Sequence, residues 1–193
     1  MDTTTALRIV GLGGSLREHS SSLSALRLAL ESAAAAGAEV ELLDVRALDL
    51  PPYLPGPPPP HPALARFAEA TGGADGMIWS SPLYHGTVSG AFKNALDWLQ
   101  LLADRDPPFL TGMPVGLLAT AGGVQGLQAI NTMEFVVRAL RGWTVPFVVP
   151  VARAWQAFSH DGAPQDAAVA GQLAMLGREV VAGARRLGRT AVL

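Results

Sequence analysis

Three short segments of this chain hold residues whose types and spacing could do chemistry. The first is Gly13-Gly14-Ser15-Leu16-Arg17-Glu18-His19-Ser20-Ser21-Ser22, which sets glycines, four hydroxyls and an arginine directly before a leucine- and alanine-rich stretch. Glycines let a backbone approach a ligand closely, and a helix N-terminus offers free N–H groups at the positive end of its dipole. Serines add hydroxyl donors, and Arg17 adds a charged fork suited to phosphate oxygens. Four hydroxyls exceed what one helix cap requires, so the segment reads as a phosphate cradle rather than a plain turn. Two other phosphate motifs do not fit. A Gly-x-Gly-x-x-Gly fingerprint begun at Gly11 needs glycine where Leu16 stands, and a P-loop needs a lysine that this segment lacks. Asp44 resembles the ribose acid of the dinucleotide fingerprint, but without the glycines it reads as a strand-end cap.

The second segment runs from Ser80 to Trp98 and carries Pro82, Leu83, Tyr84, His85 and Gly86 after an apolar run. Taken alone, Tyr84 could wall a flat ligand or simply pack. His85 could serve as a base or a ligand, but His19, His61, His85 and His160 show no metal-binding spacing. The third segment is Thr120-Ala121-Gly122-Gly123-Val124-Gln125-Gly126, again between an apolar run and a helix-like stretch.

These segments need elements to position them. Residues 7–12 read as a first strand and 20–36 as a helix closed by Gly37. Residues 40–45 give a second strand. Eight prolines between residues 51 and 62 forbid helix and central strand there and predict a stiff surface loop. A short helix is expected over 64–70, then a third strand over 76–80 that ends at Pro82. A helix follows over 89–102, with Phe92, Leu96, Leu99 and Ala103 on one stripe. Residues 114–120 make a fourth strand, 127–140 a helix, 145–149 a fifth strand and 165–187 a terminal helix. This alternation predicts one α/β domain over 1–193, with a five-stranded parallel sheet and helices on both faces. Such sheets bind ligands beyond the C-terminal ends of their strands, where all three segments fall.

Composition narrows the function. Apolar residues make up 49% and charged residues 16%, which excludes a disordered tail. A net charge of -2 gives no basic field for nucleic acid or an anionic membrane. The absence of cysteine rules out disulfides, thiolate metal sites and thiol catalysis, and a cytoplasmic setting is the simplest expectation. Residues 1–5 show no basic segment of a leader, and no run of 18 apolar residues predicts a membrane span.

The second segment resembles the Pro-x-Tyr-x-x-x-x-x-Gly-x-Leu-Lys-Asn-x-Leu-Asp-Trp pattern of NADPH-dependent FMN reductases. It matches through Pro82, Tyr84, Gly90, Lys93, Asn94, Leu96, Asp97 and Trp98, with Phe92 in place of the leucine. Lys93 is the one lysine in the chain. The first segment is similar to the family's Gly-Ser-Leu-Arg-x-x-Ser motif through Gly14, Ser15, Leu16, Arg17 and Ser20, and the likeness covers roughly residues 7–150. The resemblance implies a flavodoxin-like three-layer fold with strand order 2-1-3-4-5. It implies FMN as cofactor and NADPH, or NADH, as electron donor. By the same resemblance Ser15, Arg17, Ser20 and Ser22 hold the FMN phosphate. Pro82, Leu83, Tyr84, His85 and Gly86 line the isoalloxazine, and Thr120, Gly122, Gly123 and Gln125 run under its pyrimidine side. Lys93, Asn94 and Asp97 brace the loop and helix.

On this reading no side chain is catalytic, because hydride transfer takes place at the flavin N5 and the protein supplies position and electrostatics. Ping-pong kinetics are expected, with a flavin, a quinone or another small molecule as acceptor. Arg17 and Arg105 are candidates for the nicotinamide phosphate. The family's oligomers imply a homodimer or homotetramer, with Phe92, Trp98, Leu101 and Leu102 as apolar contributors. A flavodoxin-type electron carrier and a non-catalytic FMN-binding protein are the alternatives.

Overall fold

The computed structural model describes residues 6–188. Residues 1–5, on which the expectation of no leader rests, lie outside that range. The elements in chain order are β1 (Arg8–Gly13), α1 (Ser21–Ala35), β2 (Glu39–Asp44), α2 (Val45–Leu48) and α3 (Pro62–Gly72). Then come β3 (Gly76–Tyr84), β4 (Thr87–Val88), α4 (Gly90–Asp97) and a 3₁₀ turn (Trp98–Leu102). Finally β5 (Pro114–Thr120), α5 (Gly126–Ala139), β6 (Trp143–Val151), α6 (Ala154–Ala157) and α7 (Ala167–Leu187) complete the fold. Local chemistry sets several boundaries. Ser20, Ser89 and Asp166 cap α1, α4 and α7 through side-chain oxygens, and Pro62 occupies the first turn of α3, where its missing N–H costs nothing. Asp44 caps α2 through Arg46 N–H at 3.0 Å, the strand-end role expected of it.

The main sheet runs β2-β1-β3-β5-β6, and all its pairings are parallel. β4 lies off this path and pairs antiparallel with the end of β3. Without that two-residue return, the order is the expected 2-1-3-4-5. Successive strand residues point to opposite faces, so both faces of the sheet bury apolar side chains. One face carries Val10, Leu12, Met77, Trp79, Val115 and Leu117 against α3, α4 and α5. The other carries Ile9, Ile78, Leu118 and Val149 against α1 and α7. The contact between α1 and α7 is close enough that a Cβ on Gly177 would sit 2.1 Å from the Ala29 carbonyl oxygen. Ser32 Oγ adds a 2.7 Å hydrogen bond to the Ala174 carbonyl.

Two expectations are corrected. β3 does not stop before Pro82 but continues to Tyr84. Pairing with β1 ends at Ser80, so Pro82 lies beyond the stretch of β3 flanked on both sides, and it still stands in register with Thr120. The single helix expected over 89–102 is an α-helix that tightens into a 3₁₀ turn at Trp98. That change accompanies the full burial of the Phe92, Trp98, Leu99 and Leu102 side chains. Phe92, Trp98 and Leu102 therefore belong to the core of the chain itself and are not free to form a subunit contact. The proline-rich stretch is the loop expected. It is tied to α4 and the 3₁₀ turn, because the Pro51 carbonyl accepts from Trp98 Nε1 at 2.8 Å and Asn94 Nδ2 at 3.0 Å, and Tyr53 N–H donates to Asn94 Oδ1 at 2.8 Å. No helix of the described residues is long and apolar enough to cross a membrane.

Candidate functional site

The C-terminal ends of β1, β3, β5 and β6 converge on a cavity of about 190 Å³. β1 leaves the sheet through Gly13, where backbones crowd. A Cβ there would lie 2.1 Å from the Ser80 carbonyl oxygen, and the same oxygen accepts Gly14 N–H at 3.2 Å. The chain can then turn into α1 only by presenting Ser15 to Ser22 around the helix N-terminus. Ser15, Ser20 and Ser22 are buried yet line the cavity.

Their hydroxyls form a directed chain. Ser15 Oγ donates to Ser20 Oγ at 3.1 Å, and Ser20 Oγ also accepts Leu23 N–H at 3.2 Å. With both lone pairs of Ser20 engaged, its single proton goes to Ser22 Oγ, 3.0 Å away. Ser22 then keeps one hydroxyl proton to offer, at the buried end of the cavity. Ser80 Oγ fixes this turn from β3 by donating to the Ser22 carbonyl at 2.7 Å. Arg17 lines the same cavity, and its backbone N–H donates to Ser15 Oγ at 3.3 Å. An array of donors around one small space, with a guanidinium at its rim, is suited to a phosphate monoester.

β3 supplies the next wall through Pro82, Leu83 and Tyr84. Tyr84 is 44% exposed, so its ring is free to meet a ligand. His85 and Gly86 form the two-residue tip of the β3–β4 hairpin, with φ of 49° and 84°. A tight hairpin of this kind requires positive φ at both central positions, which explains the glycine. The hairpin is held at its base by Ser81 Oγ, which accepts Ser89 N–H at 3.0 Å, and is fastened to α5 by the Thr87–Thr132 hydroxyl pair at 3.1 Å.

β5 contributes Thr120, Ala121 and Gly122. Gly122 faces open space, so nothing of the protein fills the position a side chain would take. Of the residues expected at the site, Ser15, Arg17, Ser20, Ser22, Pro82, Leu83, Tyr84, Thr120 and Gly122 line this cavity together. His85, Gly86, Gly123 and Gln125 sit outside it, on the hairpin tip and at the start of α5.

The cavity also draws on residues that sequence reasoning did not single out: His19, Ser21, Ala121, Ala154 and Trp155. Ala154 and Trp155 follow β6, the fourth strand whose C-terminal end reaches this edge. The signal was present, because Trp155 stands four residues after the end of β6, at an edge where ligands bind. The loop is tied to β5, since the Val151 carbonyl accepts Ala121 N–H at 2.9 Å and Ala154 N–H returns to the Ala121 carbonyl at 3.0 Å. Trp155 is 67% exposed and lines the cavity.

Arg105 is not at this site. Its guanidinium donates to the Ala68 carbonyl at 3.0 Å and packs on Gly72, which lies at the other edge of the sheet, where α3 leads into β3. Beyond the hydroxyl chain, the hairpin over residues 159–163 stands beside the cavity. There the Ser159 hydroxyl donates to the Asp161 carboxylate and holds that carboxyl below its ordinary range. Among the described residues no three acidic, histidine or cysteine side chains are arranged to hold a metal ion.

A family profile described as NADPH-dependent FMN reductase matches residues 7–156. The chain is 33% identical over 159 residues to the NADPH-dependent FMN reductase ArsH of Rhizobium meliloti, covering 80% of this chain and 63% of that protein. It spans about three fifths of the length of its curated ArsH relatives. Its fold matches the flavoenzyme NAD(P)H:(acceptor) oxidoreductase of Paracoccus denitrificans with a TM-score of 0.69 at 23% identity, over 94% of this chain and 98% of that one. It also matches the apo form of an NADH:FMN oxidoreductase with a TM-score of 0.70 at 22% identity, over 92% and 89% of the two chains.

Proposed function

The chain belongs to the NADPH-dependent FMN reductase family, and from that membership we propose that it binds FMN and transfers hydride from NADPH, or NADH, to the flavin and on to a small acceptor. The observation that carries this reading is the buried chain of serine hydroxyls ending in a free donor inside a cavity at the strand ends. The cavity fits the cofactor on two counts: the donor array suits a phosphate, and Gly122 leaves open space where the flat ring must pass.

In this reading Ser15, Arg17, Ser20 and Ser22 hold the phosphate. Pro82, Leu83 and Tyr84 wall the isoalloxazine, and Thr120 and Gly122 lie along its pyrimidine side. His85, Gly86, Gly123 and Gln125 serve by shaping the loops, because they stand outside the cavity. Bound FMN supplies the two-electron centre that accepts hydride from the donor and returns it to the acceptor. The protein binds and orients, and the chemistry requires no acid or base from it. The small, open cavity admits donor and acceptor in turn, which gives ping-pong kinetics with a flavin, a quinone or a similar acceptor. In this reading the chain folds as a single FMN-binding domain and acts in the cytoplasm. Assembly as a homodimer or homotetramer would use the outer face of α4 and α5, where Phe135 is 71% exposed and borders a groove with Lys93, Gln100 and Ala139.

The test is to titrate apoprotein with FMN, follow flavin fluorescence, and then add NADPH anaerobically while watching the visible flavin absorbance. Saturable quenching followed by rapid bleaching is expected. Binding without bleaching would instead indicate an electron carrier or a non-catalytic FMN protein. An absence of binding at micromolar FMN would refute the cradle.

A further inference from the structure

Next to the FMN cradle lies a larger cavity of about 400 Å³, between the start of α1 and the 159–162 turn. Its volume falls in the range of about 300–1,000 Å³ typical of small-molecule sites. The two cavities share His19, Ser20 and Ser21 as a common wall. We infer that this second cavity receives the adenosine 2′-phosphate end of the nicotinamide donor, an inference that rests on the smaller cavity being the FMN site.

Space points this way first. The smaller cavity cannot hold FMN and a whole dinucleotide together. The adenosine end of a donor whose nicotinamide lies on the flavin must therefore rest outside that cavity. The larger cavity adjoins it across the shared His19–Ser21 wall.

The lining chemistry agrees. Arg27 lines the cavity, and among the described residues its guanidinium has no hydrogen bond or ion pair. A planar cationic fork without a protein partner suits the bidentate recognition of a phosphate monoester. His19 and His160 both line the cavity and pack ring against ring, with centroids 3.7 Å apart at 41°. Both are exposed, so the outer face of the pair offers an aromatic surface on which a purine can stack. Glu18 and Asp161 also line the space. Carboxylates repel a phosphate but accept hydrogen bonds from ribose hydroxyls or the adenine amine. Arg27 stands seven residues after Ser20, the cap of α1, which places it about 10 Å along the helix axis from Ser20 at about 1.5 Å per residue. The site therefore has a phosphate pole at Arg27 and a hydrogen-bond-accepting pole at the helix start.

Steady-state kinetics on the FMN-loaded protein test this, with 2′,5′-ADP and 5′-AMP as probes. The expected result is that 2′,5′-ADP competes with NADPH and 5′-AMP competes at least tenfold more weakly. Arg27→Gln should raise the KM for NADPH and the inhibition constant of 2′,5′-ADP about tenfold, the loss of one charge-assisted hydrogen bond. That change should be confined to KM, should spare the KM for NADH, and should not alter the Kd of FMN. His160→Ala should raise the KM of both donors, because stacking on adenine does not depend on the 2′-phosphate. The inference is overturned if Arg27→Gln leaves the KM for NADPH unchanged or raises both donors equally. It is also overturned if 2′,5′-ADP and 5′-AMP inhibit alike. If the wild-type protein fails to bind FMN or is not bleached by NADPH, the functional reading falls. If it is bleached and Arg27→Gln behaves as wild type, only the adenosine site falls.

Discussion

Ser22→Ala isolates the phosphate cradle from the stability of the fold. Ser22 Oγ accepts from Ser20 at 3.0 Å and holds a hydroxyl proton that no group among the described residues takes. Donation to an FMN phosphate is a hydrogen bond to a charged group, worth about 1.5–3 kcal/mol. At about 1.4 kcal/mol per factor of ten, the Kd of FMN should rise about 10- to 100-fold. The stability of the apoprotein should change little. The variant loses one neutral hydrogen bond of about 1 kcal/mol and regains a few tenths, because alanine is the better helix former. The Ser22 carbonyl, which accepts from Ser80, is untouched. A net loss within about 1 kcal/mol moves Tm by about 2–4 °C in a chain of this size. Ser20→Ala supplies the contrast. It removes the cap of α1, worth about 1 kcal/mol, and strands both Ser15 and Ser22. That variant should lose affinity and stability together.

Fluorescence titration with FMN and with riboflavin, beside thermal melts of the apoprotein, reads both quantities. Riboflavin has no phosphate, so its affinity should be the same for Ser22→Ala and wild type. A Kd of FMN within twofold of wild type would refute the assignment. So would an equal loss of riboflavin affinity, because the serine would then act on the ring or through the fold rather than on the phosphate.

Further outcomes follow from the packing. Gly177→Ala forces a Cβ to 2.1 Å from the Ala29 carbonyl oxygen, so α1 and α7 must separate, and urea unfolding should show a loss of about 1–3 kcal/mol. Trp79→Phe and Trp98→Phe delete the same atoms from buried sites. Among the described residues Trp79 Nε1 has no partner, whereas Trp98 Nε1 donates to the Pro51 carbonyl, so Trp98→Phe should be the more destabilising by about 1 kcal/mol in the same assay. Lys93→Ala breaks the exposed 2.6 Å pair with Asp97 and should cost no more than about 0.5 kcal/mol, a difference that high salt abolishes.

The amino-acid sequence determined the architecture of this protein and two walls of the candidate cavity, because both are encoded by local chemistry. Apolar runs alternating with helical stripes allow a parallel sheet covered on both faces, and the observed order agrees once the short return strand is set aside. The serine cradle was legible because Ser15, Arg17, Ser20 and Ser22 are close in the chain, and helix capping turns them toward one space. Pro82 and Tyr84 were legible for a similar reason. Tertiary structure decided what depends on distant segments meeting. Pro82 reads as a strand terminator, but it is tolerated because β1 has already ended beside it. Phe92, Trp98 and Leu102 read equally as core or interface, and packing against α3, α5 and the proline-rich loop resolved them as core. Arg27 and His160 had no local motif to mark them, and Trp155 was marked only by its place after a strand. His160 lies 141 positions from His19, and the two meet because Ala157 and Phe158, just before the 159–162 turn, pack into the same cluster as α1. A local pattern can specify how a segment folds, but a wall built from two segments exists only once the sheet between them has formed.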